Sequence, residues 1–249
     1  MTFDNSRTEK LIGRDAVRRL AGAHAAVFGA GGVGGYVCEA LIRAGIGSLT
    51  VIDGDNVAPS NLNRQIIATA ETIGMPKVEA VAMRAASINP GCRVFPVRMF
   101  YLPGESGIDF SRFDIIADCV DTVAAKIGIA KAAEESGIPL ISSMGAGKKL
   151  HPELFRISDV FSTHGDPLAR AVRKGLREAG ISSLPCVWSD EPPFERGEAE
   201  TDGDGEKDSV ATAGKASPPG SISFVPAAAG LIMAGWMIRR LCSSRDGRY

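Results

Sequence analysis

The sequence has no paired cysteines, no excess of charge of either sign and no long uninterrupted apolar run. Its five cysteines are scattered and none lies within four residues of another, so the spacing of a structural zinc site is missing. Such a set suits a reducing cytoplasm. The formal net charge of −1 gives no global basic field for nucleic acid, so any RNA contact has to come from a local patch.

Two segments bear on membrane attachment. The N-terminal segment 1–14 is polar and charged and carries no apolar signal core. Residues 222–238 are largely apolar, but Ser223, Pro226 and Gly230 interrupt them, and a bilayer span needs about 20 apolar residues. We predict a strand end followed by a buried helix, hence no integral membrane insertion, with peripheral membrane association as the alternative.

Short apolar runs alternate with helical patterns over residues 1–150. Strands are predicted at 25–28, 49–52, 93–97, 114–117 and 139–142, and helices at 33–44, 74–88 and 124–135. Strands separated by helices imply a mainly parallel sheet with right-handed crossovers. The predicted fold class is therefore α/β, a Rossmann-like sheet flanked by helices.

The later part of the chain changes character. A helix is predicted over 166–179, with a proline in its first turn and a face of repeated cations. Residues 189–219 are rich in Glu, Asp, Gly, Ser and Pro and almost lack apolar side chains, which predicts a mobile acidic loop within a C-terminal extension. We interpret residues 1–249 as one domain.

The strongest motif is the glycine-rich run 29–35, which follows a predicted strand and opens a predicted helix. At such a junction a tight turn lets a phosphate approach backbone N–H groups and the positive end of the helix. Asp53 ends the next strand, where an acidic residue binds ribose hydroxyls. This pair of features alone suits NAD as well as ATP.

The segment that follows favours ATP. Asp53 and Asp55 precede Arg64 and Lys77, and Asp121 follows a later strand. Adenylyl transfer needs fixed cations and a magnesium ion where charge accumulates on the phosphates, whereas hydride transfer does not. Taken singly, Arg64 and Lys77 are ordinary solvated cations and Asp121 an ordinary helix N-cap, so the prediction rests on their order and combination.

These motifs resemble the ubiquitin-activating-type (ThiF-like) adenylyltransferases, and more closely the tRNA threonylcarbamoyladenosine dehydratases. The segments that carry the resemblance are 7–13, 27–35, 45–55, 61–65, 88–90, 166–169 and 219–230. The resemblance implies ATP-dependent cyclisation of threonylcarbamoyladenosine at position 37 of tRNA through an adenylated carboxylate. It also implies a homodimer, in which Arg7 reaches the partner's ATP.

The resemblance further implies a role for each matching residue. The residues expected to bind ATP are Gly29, Gly31, Gly32, Gly34, Asp53, Asp55, Asn61, Arg64 and Lys77. Asp121 is expected to hold Mg²⁺, and Arg64, Lys77, Asp121 and Arg7 to act in catalysis. A monovalent cation and a sulfur-transfer partner are further implied, while the unpaired cysteines predict no zinc.

Two positions depart from the family pattern. Ser221 stands where some dehydratases have a cysteine before the last helix, which makes a covalent thioester stage doubtful. Cys186 is interpreted as a small buried hydrophobe rather than a reactive thiol. The predicted RNA contacts, with a solvated helix face as the alternative, are Arg170, Arg173, Lys174 and Arg177, together with Lys148 and Lys149.

Two other functions stay open from the sequence. The same chemistry could adenylate the C-terminus of a ubiquitin-like or sulfur-carrier protein. A nucleotide-binding module without catalysis, or an NAD enzyme, is the third hypothesis. An NAD enzyme needs a catalytic acid or base beside the cofactor, and none of the three histidines, His24, His151 and His164, lies in a convincing motif.

Overall fold

The computed structural model describes residues 3–104, 106–194 and 219–243. Within these ranges the strands are β1 (His24–Phe28), β2 (Ser48–Ile52), β3 (Arg93–Val97), β4 (Ile115–Asp118), β5 (Leu140–Ser143), β6 (Arg156–Asp159) and β7 (Pro185–Trp188). The α-helices are α1 (Ser6–Ile12), α2 (Arg14–Gly22), α3 (Gly34–Ala44), α4 (Lys77–Ile88), α5 (Val123–Ser136), α6 (Pro167–Glu178) and α7 (Phe224–Cys242).

The strands form a seven-stranded sheet in the order β3-β2-β1-β4-β5-β7-β6. All neighbouring pairs are parallel except β6 and β7, which run antiparallel. The chain order reverses between β1 and β4. Loops from the two halves diverge at such a switch point and leave a crevice outside the carboxyl ends of the strands.

Helices cover both faces of the sheet, so alternate residues of the central strands enter two different cores. Ala25 and Val27 of β1 pack into the cluster under α3, α4 and α7. Ala26 and Phe28 point the other way and pack with α5 and α6. Burial on both faces explains why the central strands are continuous apolar runs.

The predicted α/β class and all five predicted strands are confirmed, as are the helices now labelled α3 to α6, with shifts of at most three residues at their ends. Two strands went unpredicted. β6 is an edge strand with an exposed Arg156 and no fully buried residue, so its sequence lacks an apolar run. β7 is only four residues long. The predicted strand end before the last helix is wrong, because residues 219–222 form no strand.

The last helix, α7, is long and apolar enough to cross a membrane by length and composition. One of its faces, however, packs into the sheet's core through Val225, Ala229, Met233 and Met237. Gly230 lies where a Cβ would come within 2.4 Å of the Val33 carbonyl oxygen. The helix therefore approaches the start of α3 at backbone distance, as a helix of the core does.

The prediction of a mobile loop over 189–219 is wrong for its first residues. Ser189 is fully buried and Glu191 is 7% exposed. Both Glu191 carboxylate oxygens accept backbone hydrogen bonds, from Leu150 at 2.7 Å and from His151 at 3.1 Å. The first residues of the predicted loop are thus part of the packed fold, and positions 195–218 lie outside the described residues.

Candidate active site

A cleft of about 1080 Å³ lies at the carboxyl edge of the sheet. Loops that follow β1, β2, β4 and β5 form its walls, and the segment before α7 borders it. It brings together most of the residues predicted to form the site: Gly29, Gly31, Gly32, Asp53, Asp55, Asn61, Arg64, Lys77 and Asp121. These residues, which are distant in the sequence, therefore lie around one cleft.

The glycine loop joins β1 to α3, and two of its glycines are required by close contacts. Gly29 has a φ of 87°, and a Cβ there would lie 2.9 Å from the Cys119 carbonyl oxygen. A Cβ on Gly34 would lie 1.8 Å from the carbonyl oxygen of Gly29. Gly34 is buried outside the cleft lining, so its role is close packing of helix against strand rather than contact with a ligand.

Asp53 connects the end of β2 to the glycine loop. Its Oδ2 accepts a hydrogen bond from the Ala30 amide at 2.7 Å, and its Oδ1 accepts one from the Asp55 amide at 2.8 Å. A carboxylate oxygen accepts more than one hydrogen bond. Asp53 can therefore fix the loop and still accept hydrogen bonds from two ribose hydroxyls.

Lys77 is the first residue of α4 and is 6% exposed, contrary to the alternative of a solvated lysine. A cation is unfavourable at a helix N-terminus, where the helix dipole favours anions. Its ammonium forms an ion pair with Asp55 at 2.8 Å, but half of the Asp55 side chain remains exposed. This buried cation and the helix end both attract an anion in the cleft.

Arg64 lies in a turn after β2 and is held by its own neighbours. Its Nη1 donates to the Ser60 carbonyl oxygen at 2.8 Å and to Asn63 Oδ1 at 2.9 Å. Asn63 in turn donates to the Ser221 carbonyl oxygen just before α7. One edge of the guanidinium is thereby fixed, and its remaining N–H groups stay available for a phosphate.

Asn61 is buried and has a structural role in the same turn. Its Oδ1 accepts a hydrogen bond from the Ala58 amide at 3.0 Å. Gln65, quoted in the same motif but given no role, is also buried at 6% exposure. Its Oε1 has no hydrogen-bond partner within the described structure. Gln65 lines the cleft, so this unsatisfied buried amide is a candidate ligand contact. The sequence could not reveal it, because glutamine is unremarkable in a polar turn.

Asp121 lies at the tip of the loop between β4 and α5. The N-cap position of α5 belongs to Thr122, so Asp121 is not the helix cap of the alternative interpretation. Asp121 is exposed, and its carboxylate has only a 3.4 Å contact with the Thr122 hydroxyl. The described residues contain no group of three or more acidic, histidine or cysteine side chains that could hold a metal. One carboxylate with nucleotide phosphates and water is nevertheless how Mg²⁺ is commonly bound in such sites.

A buried ion pair supports the loops that follow β4 and β5. Asp118 and Lys126 are both fully buried, and the ammonium lies 3.0 Å from Asp118 Oδ2. The same ammonium donates to Ser142 Oγ at 3.2 Å and to the Ser143 carbonyl oxygen at 2.7 Å. Asp118 Oδ1 accepts from the Val120 amide at 3.2 Å. The role of Lys126 could not be predicted, because in the sequence it has the position of an ordinary lysine within a helix.

The loop after β5 is fixed by two more buried polar groups. Asp166, the N-cap of α6, accepts hydrogen bonds from the amides of Ala169 and Gly145. Lys149, predicted to contact RNA, is instead 6% exposed. Its ammonium donates to the carbonyl oxygens of Ser189 and Glu191 at 3.2 and 2.7 Å. Lys149 is therefore a structural cross-link, and that part of the RNA prediction is wrong.

Some cations of α6 likewise have structural contacts, whereas others are exposed. Arg173 is half-buried and donates to the carbonyl oxygen and the hydroxyl of Thr163. Arg177 lies over the Phe161 ring at 5.3 Å. Arg170 and Lys174 are exposed, and Lys174 is 4.0 Å from Glu178. Only part of the predicted basic face is thus available to an external phosphate.

The cysteine thiols are unsuited to nucleophilic chemistry at neutral pH. Cys119 borders the cleft, and burial, with the nearby Asp118 charge, raises its thiol pKa well above the usual range. Cys186 is fully buried in β7, and burial raises its pKa to about 12. The prediction that Cys186 is a small buried hydrophobe is confirmed.

Arg7 and the histidines lie away from this site. Arg7 is exposed on α1, a helix with no buried residue, and does not line the cleft. None of the histidines lines the cleft either. His24 packs against Phe95 and Phe113 at the other end of β1, so it is not placed to act as an acid or base in the cleft.

A glycine loop, an aspartate at the end of the next strand, two cations and an exposed carboxylate lie together at a switch point. This arrangement is that of an α/β nucleotide-binding protein. The chain belongs to the ThiF family, whose model matches residues 4–248. The sequence-based recognition of that family is therefore confirmed.

Named relatives match nearly the whole chain. The tRNA threonylcarbamoyladenosine dehydratase of Bacillus subtilis is 40% identical over 244 residues, which covers 97% of this chain and 95% of that protein. The Escherichia coli tRNA N6-threonylcarbamoyladenosine dehydratase, solved in complex with ATP, superposes with a TM-score of 0.81 at 28% identity and 97% coverage of both chains. The Escherichia coli molybdopterin-synthase adenylyltransferase is 30% identical over 70% of this chain and 66% of its own length.

Proposed function

We propose that this protein is an ATP-dependent tRNA threonylcarbamoyladenosine dehydratase. The observation that carries the proposal is the combination of full-length similarity to dehydratases with the convergence of Arg64, Lys77 and Asp121 on the glycine loop. The Escherichia coli molybdopterin-synthase adenylyltransferase matches 70% of the chain, against 97% for the Bacillus subtilis dehydratase.

The cleft explains how ATP binds. Backbone amides of the glycine loop and the N-terminus of α3 face the phosphates. Asp53 accepts hydrogen bonds from the ribose, and Arg64 and Lys77 neutralise phosphate charge. Gln65 lines the cleft, and its amide nitrogen lies close to Gly31. Its N–H₂ group can therefore donate to a phosphate held by the glycine loop.

Asp121 and Asp55 are the carboxylates of this cleft that fit a magnesium ion. One carboxylate oxygen of Asp55 is paired with Lys77, whereas Asp121 has no ion pair or strong hydrogen bond within the described structure. We assign Asp121 as the magnesium ligand. The ion would supply further positive charge beside the phosphates.

The reaction proceeds in two displacements. An oxygen of the threonyl carboxylate attacks the α-phosphorus of ATP, an acyl-adenylate forms, and pyrophosphate leaves. The carbamoyl group of the same nucleoside then attacks the activated carbonyl carbon, loses a proton, and expels AMP as the ring closes. The attacking group is already part of the molecule, so no protein nucleophile is needed. The raised thiol pKa of Cys119 agrees with this scheme.

We also propose a homodimer, in which each protomer offers Arg7 to the partner's nucleotide. The α1 helix packs on α2 without burying any residue, and its Leu11 is 83% exposed. A second protomer would cover this apolar surface. Within one protomer, Arg64 and Lys77 are the proposed cations for the triphosphate, and Lys77 is already paired with Asp55. The partner's Arg7 would add a third positive charge beside the triphosphate.

The proposed substrate is a tRNA, which would contact the exposed cations of α6 and the mouth of the cleft. Arg170 and Lys174 are the members of the predicted face left free for phosphate contacts. We place the enzyme in the cytoplasm, where its substrate is found. A sulfur-transfer partner and a bound monovalent cation stay predictions from family resemblance.

The decisive experiment incubates purified protein with ATP, Mg²⁺ and tRNA carrying threonylcarbamoyladenosine. We expect conversion to the cyclic nucleoside by mass analysis, with one AMP and one pyrophosphate released per product. The matched control is Asp121→Asn, which should bind ATP and fail to turn over. Unchanged tRNA beside intact ATP in the wild-type reaction would contradict the proposal.

The competing function is adenylation of a carrier protein's C-terminus, which the similarity to the molybdopterin enzyme favours. ATP–pyrophosphate exchange separates the two. Exchange that requires a carrier protein ending in Gly-Gly and is unaffected by modified tRNA would establish the alternative. Exchange that requires modified tRNA and is unaffected by the carrier supports the dehydratase.

A further inference from the structure

Lys148 has an unusual backbone for a lysine. It is the single non-glycine residue with a positive φ, 55°, within the described part of the chain. The left-handed conformation is energetically unfavourable for an L-residue that has a side chain, but not for glycine. Strain of this kind persists where the surroundings impose it, and it concentrates at functional positions.

The surroundings fix the Lys148 backbone from both sides. Its amide donates to the Gly220 carbonyl oxygen at 2.8 Å, and its carbonyl oxygen accepts from the Phe194 amide at 2.7 Å. The next residue, Lys149, is buried and anchored to Ser189 and Glu191. The main chain at Lys148 therefore has little freedom, and its direction determines where the side chain lies.

The Lys148 side chain does not contribute to the fold. It is exposed, lines the mouth of the cleft, and has no hydrogen bond or ion pair with any described residue. A structural role for the backbone would be met at lower cost by glycine. The lysine thus adds one feature that the fold does not use, a positive charge at the cleft mouth.

The position of the Lys148 charge indicates that it contacts the acceptor substrate rather than ATP. Asp53, the proposed ribose ligand, follows β2 and the glycine loop follows β1, so the nucleotide would lie over the ends of these two strands. Lys148 follows β5, which is separated from β1 by β4. Neighbouring strands are about 4.8 Å apart, which places the β5 loop roughly 10 Å from the glycine loop. A group bound there lies on the side from which the acceptor approaches the α-phosphorus.

We propose that Lys148 is a substrate-binding residue that contacts a backbone phosphate of the RNA beside the modified nucleoside. The inference rests on the proposed function, because it takes the acceptor to be a polyanion rather than a protein C-terminus. A lysine ammonium is a compact point charge suited to a phosphate at a protein surface. Its contribution is electrostatic and therefore depends on salt.

Three substitutions separate the charge from the strained backbone. Lys148→Gln removes the charge and keeps the strain, Lys148→Arg keeps both, and Lys148→Gly removes both. The matched control is Lys131→Gln on α5, an exposed lysine 3.8 Å from Glu135. Each variant is measured for its Kd for threonylcarbamoyladenosine-containing tRNA across a salt series, its Kd for ATP, and its Tm.

We expect Lys148→Gln and Lys148→Gly to raise the Kd for RNA about fivefold to tenfold and to reduce the slope of log Kd against log salt by about one. Lys148→Arg and the Lys131 control should keep the wild-type slope. The Kd for ATP should not change in any variant. Lys148→Gly should raise the Tm by about 2–4 °C.

An unchanged salt slope in Lys148→Gln overturns the inference, and so does an equal rise in the Kd for ATP, which would assign the charge to the nucleotide. Turnover by the wild-type protein tests the proposed function separately. Wild-type protein that binds the RNA but does not cyclise it defeats the proposed function, and the slopes still decide the role of Lys148. Absence of RNA binding by the wild-type protein defeats both.

Discussion

The buried pair of Asp118 and Lys126 allows a quantitative prediction about how the active-site loops are held. Lys126→Met keeps a side chain of similar length and removes the charge. It leaves the Asp118 carboxylate fully buried with two remaining donors, the Ser142 hydroxyl at 2.6 Å and the Val120 amide at 3.2 Å. The Ser143 carbonyl oxygen also loses its 2.7 Å hydrogen bond.

Removal of one partner from a buried ion pair costs about 3–5 kcal/mol, because the other charge stays buried and uncompensated. A domain has a total stability of about 5–15 kcal/mol. In a domain of this size, 1 kcal/mol corresponds to about 2–4 °C in Tm. We therefore expect Lys126→Met to lower the Tm by roughly 10 °C, measured by calorimetry and confirmed by urea unfolding.

Two further variants test the reason for that loss. Lys126→Met with Asp118→Asn removes the stranded charge and should recover part of the Tm. Lys131→Met on the same helix breaks an exposed pair and should cost less than about 1 kcal/mol. A Lys126→Met protein as stable as the Lys131→Met protein would refute the argument that this ion pair holds the β4 and β5 loops.

Three other predictions concern the site and its surroundings. Arg64→Ala should abolish adenylate formation while ATP binding weakens about tenfold or less, and equal losses in both would show that Arg64 serves only ground-state binding. Thiol alkylation at pH 7.5 should leave turnover intact, because burial raises the pKa of both Cys119 and Cys186; inactivation that ATP protects against would contradict this. Burial, reinforced by the charge of Arg112, lowers the pKa of His24 below its usual 6.5. Below pH 6.5 His24 is therefore protonated more fully in the unfolded chain than in the folded one. Its contribution to the free energy of unfolding is fully present above pH 6.5 and is lost as the pH falls below that value. His24→Gln should flatten the dependence of Tm on pH between 7.5 and 5.5, and parallel curves for the two proteins would rule out this contribution.

The sequence predicted the parts of the fold whose local signals agree with their environment. Strands β1, β2 and β4 are buried on both faces, so each is a run of apolar residues between turn signals. β6 and α1 could not be predicted in this way. β6 is stabilised by its antiparallel partner β7 rather than by burial, and α1 has no buried face that would impose a helical periodicity.

The same distinction applies to the site. That Gly29, Asp53, Arg64, Lys77 and Asp121 would lie together could be predicted, because their types and order fit one chemistry. The supporting residues could not be predicted, since a lysine within a helix looks the same whether it is solvated like Lys131 or buried like Lys126. For Lys149 the apparent surface cation proved to be an internal cross-link, because its partners are backbone carbonyl oxygens that no sequence pattern displays.

These internal groups explain why a site built from loops can still be rigid. Asp53 ties the end of β2 to the loop after β1, and Lys126 ties the end of β4 to the end of β5. Asp166 and Lys149 then tie the loop after β5 to α6 and to the exit of β7. At the carboxyl edge these cross-links therefore join β2 to β1 on one side of the switch point, and β4 through β5 to β7 on the other. Transition-state stabilisation requires charges fixed before the reaction begins. In the proposed mechanism, the buried polar groups of this edge would serve catalysis by holding Arg64, Lys77 and Asp121 in one frame, although most of them would not touch the nucleotide.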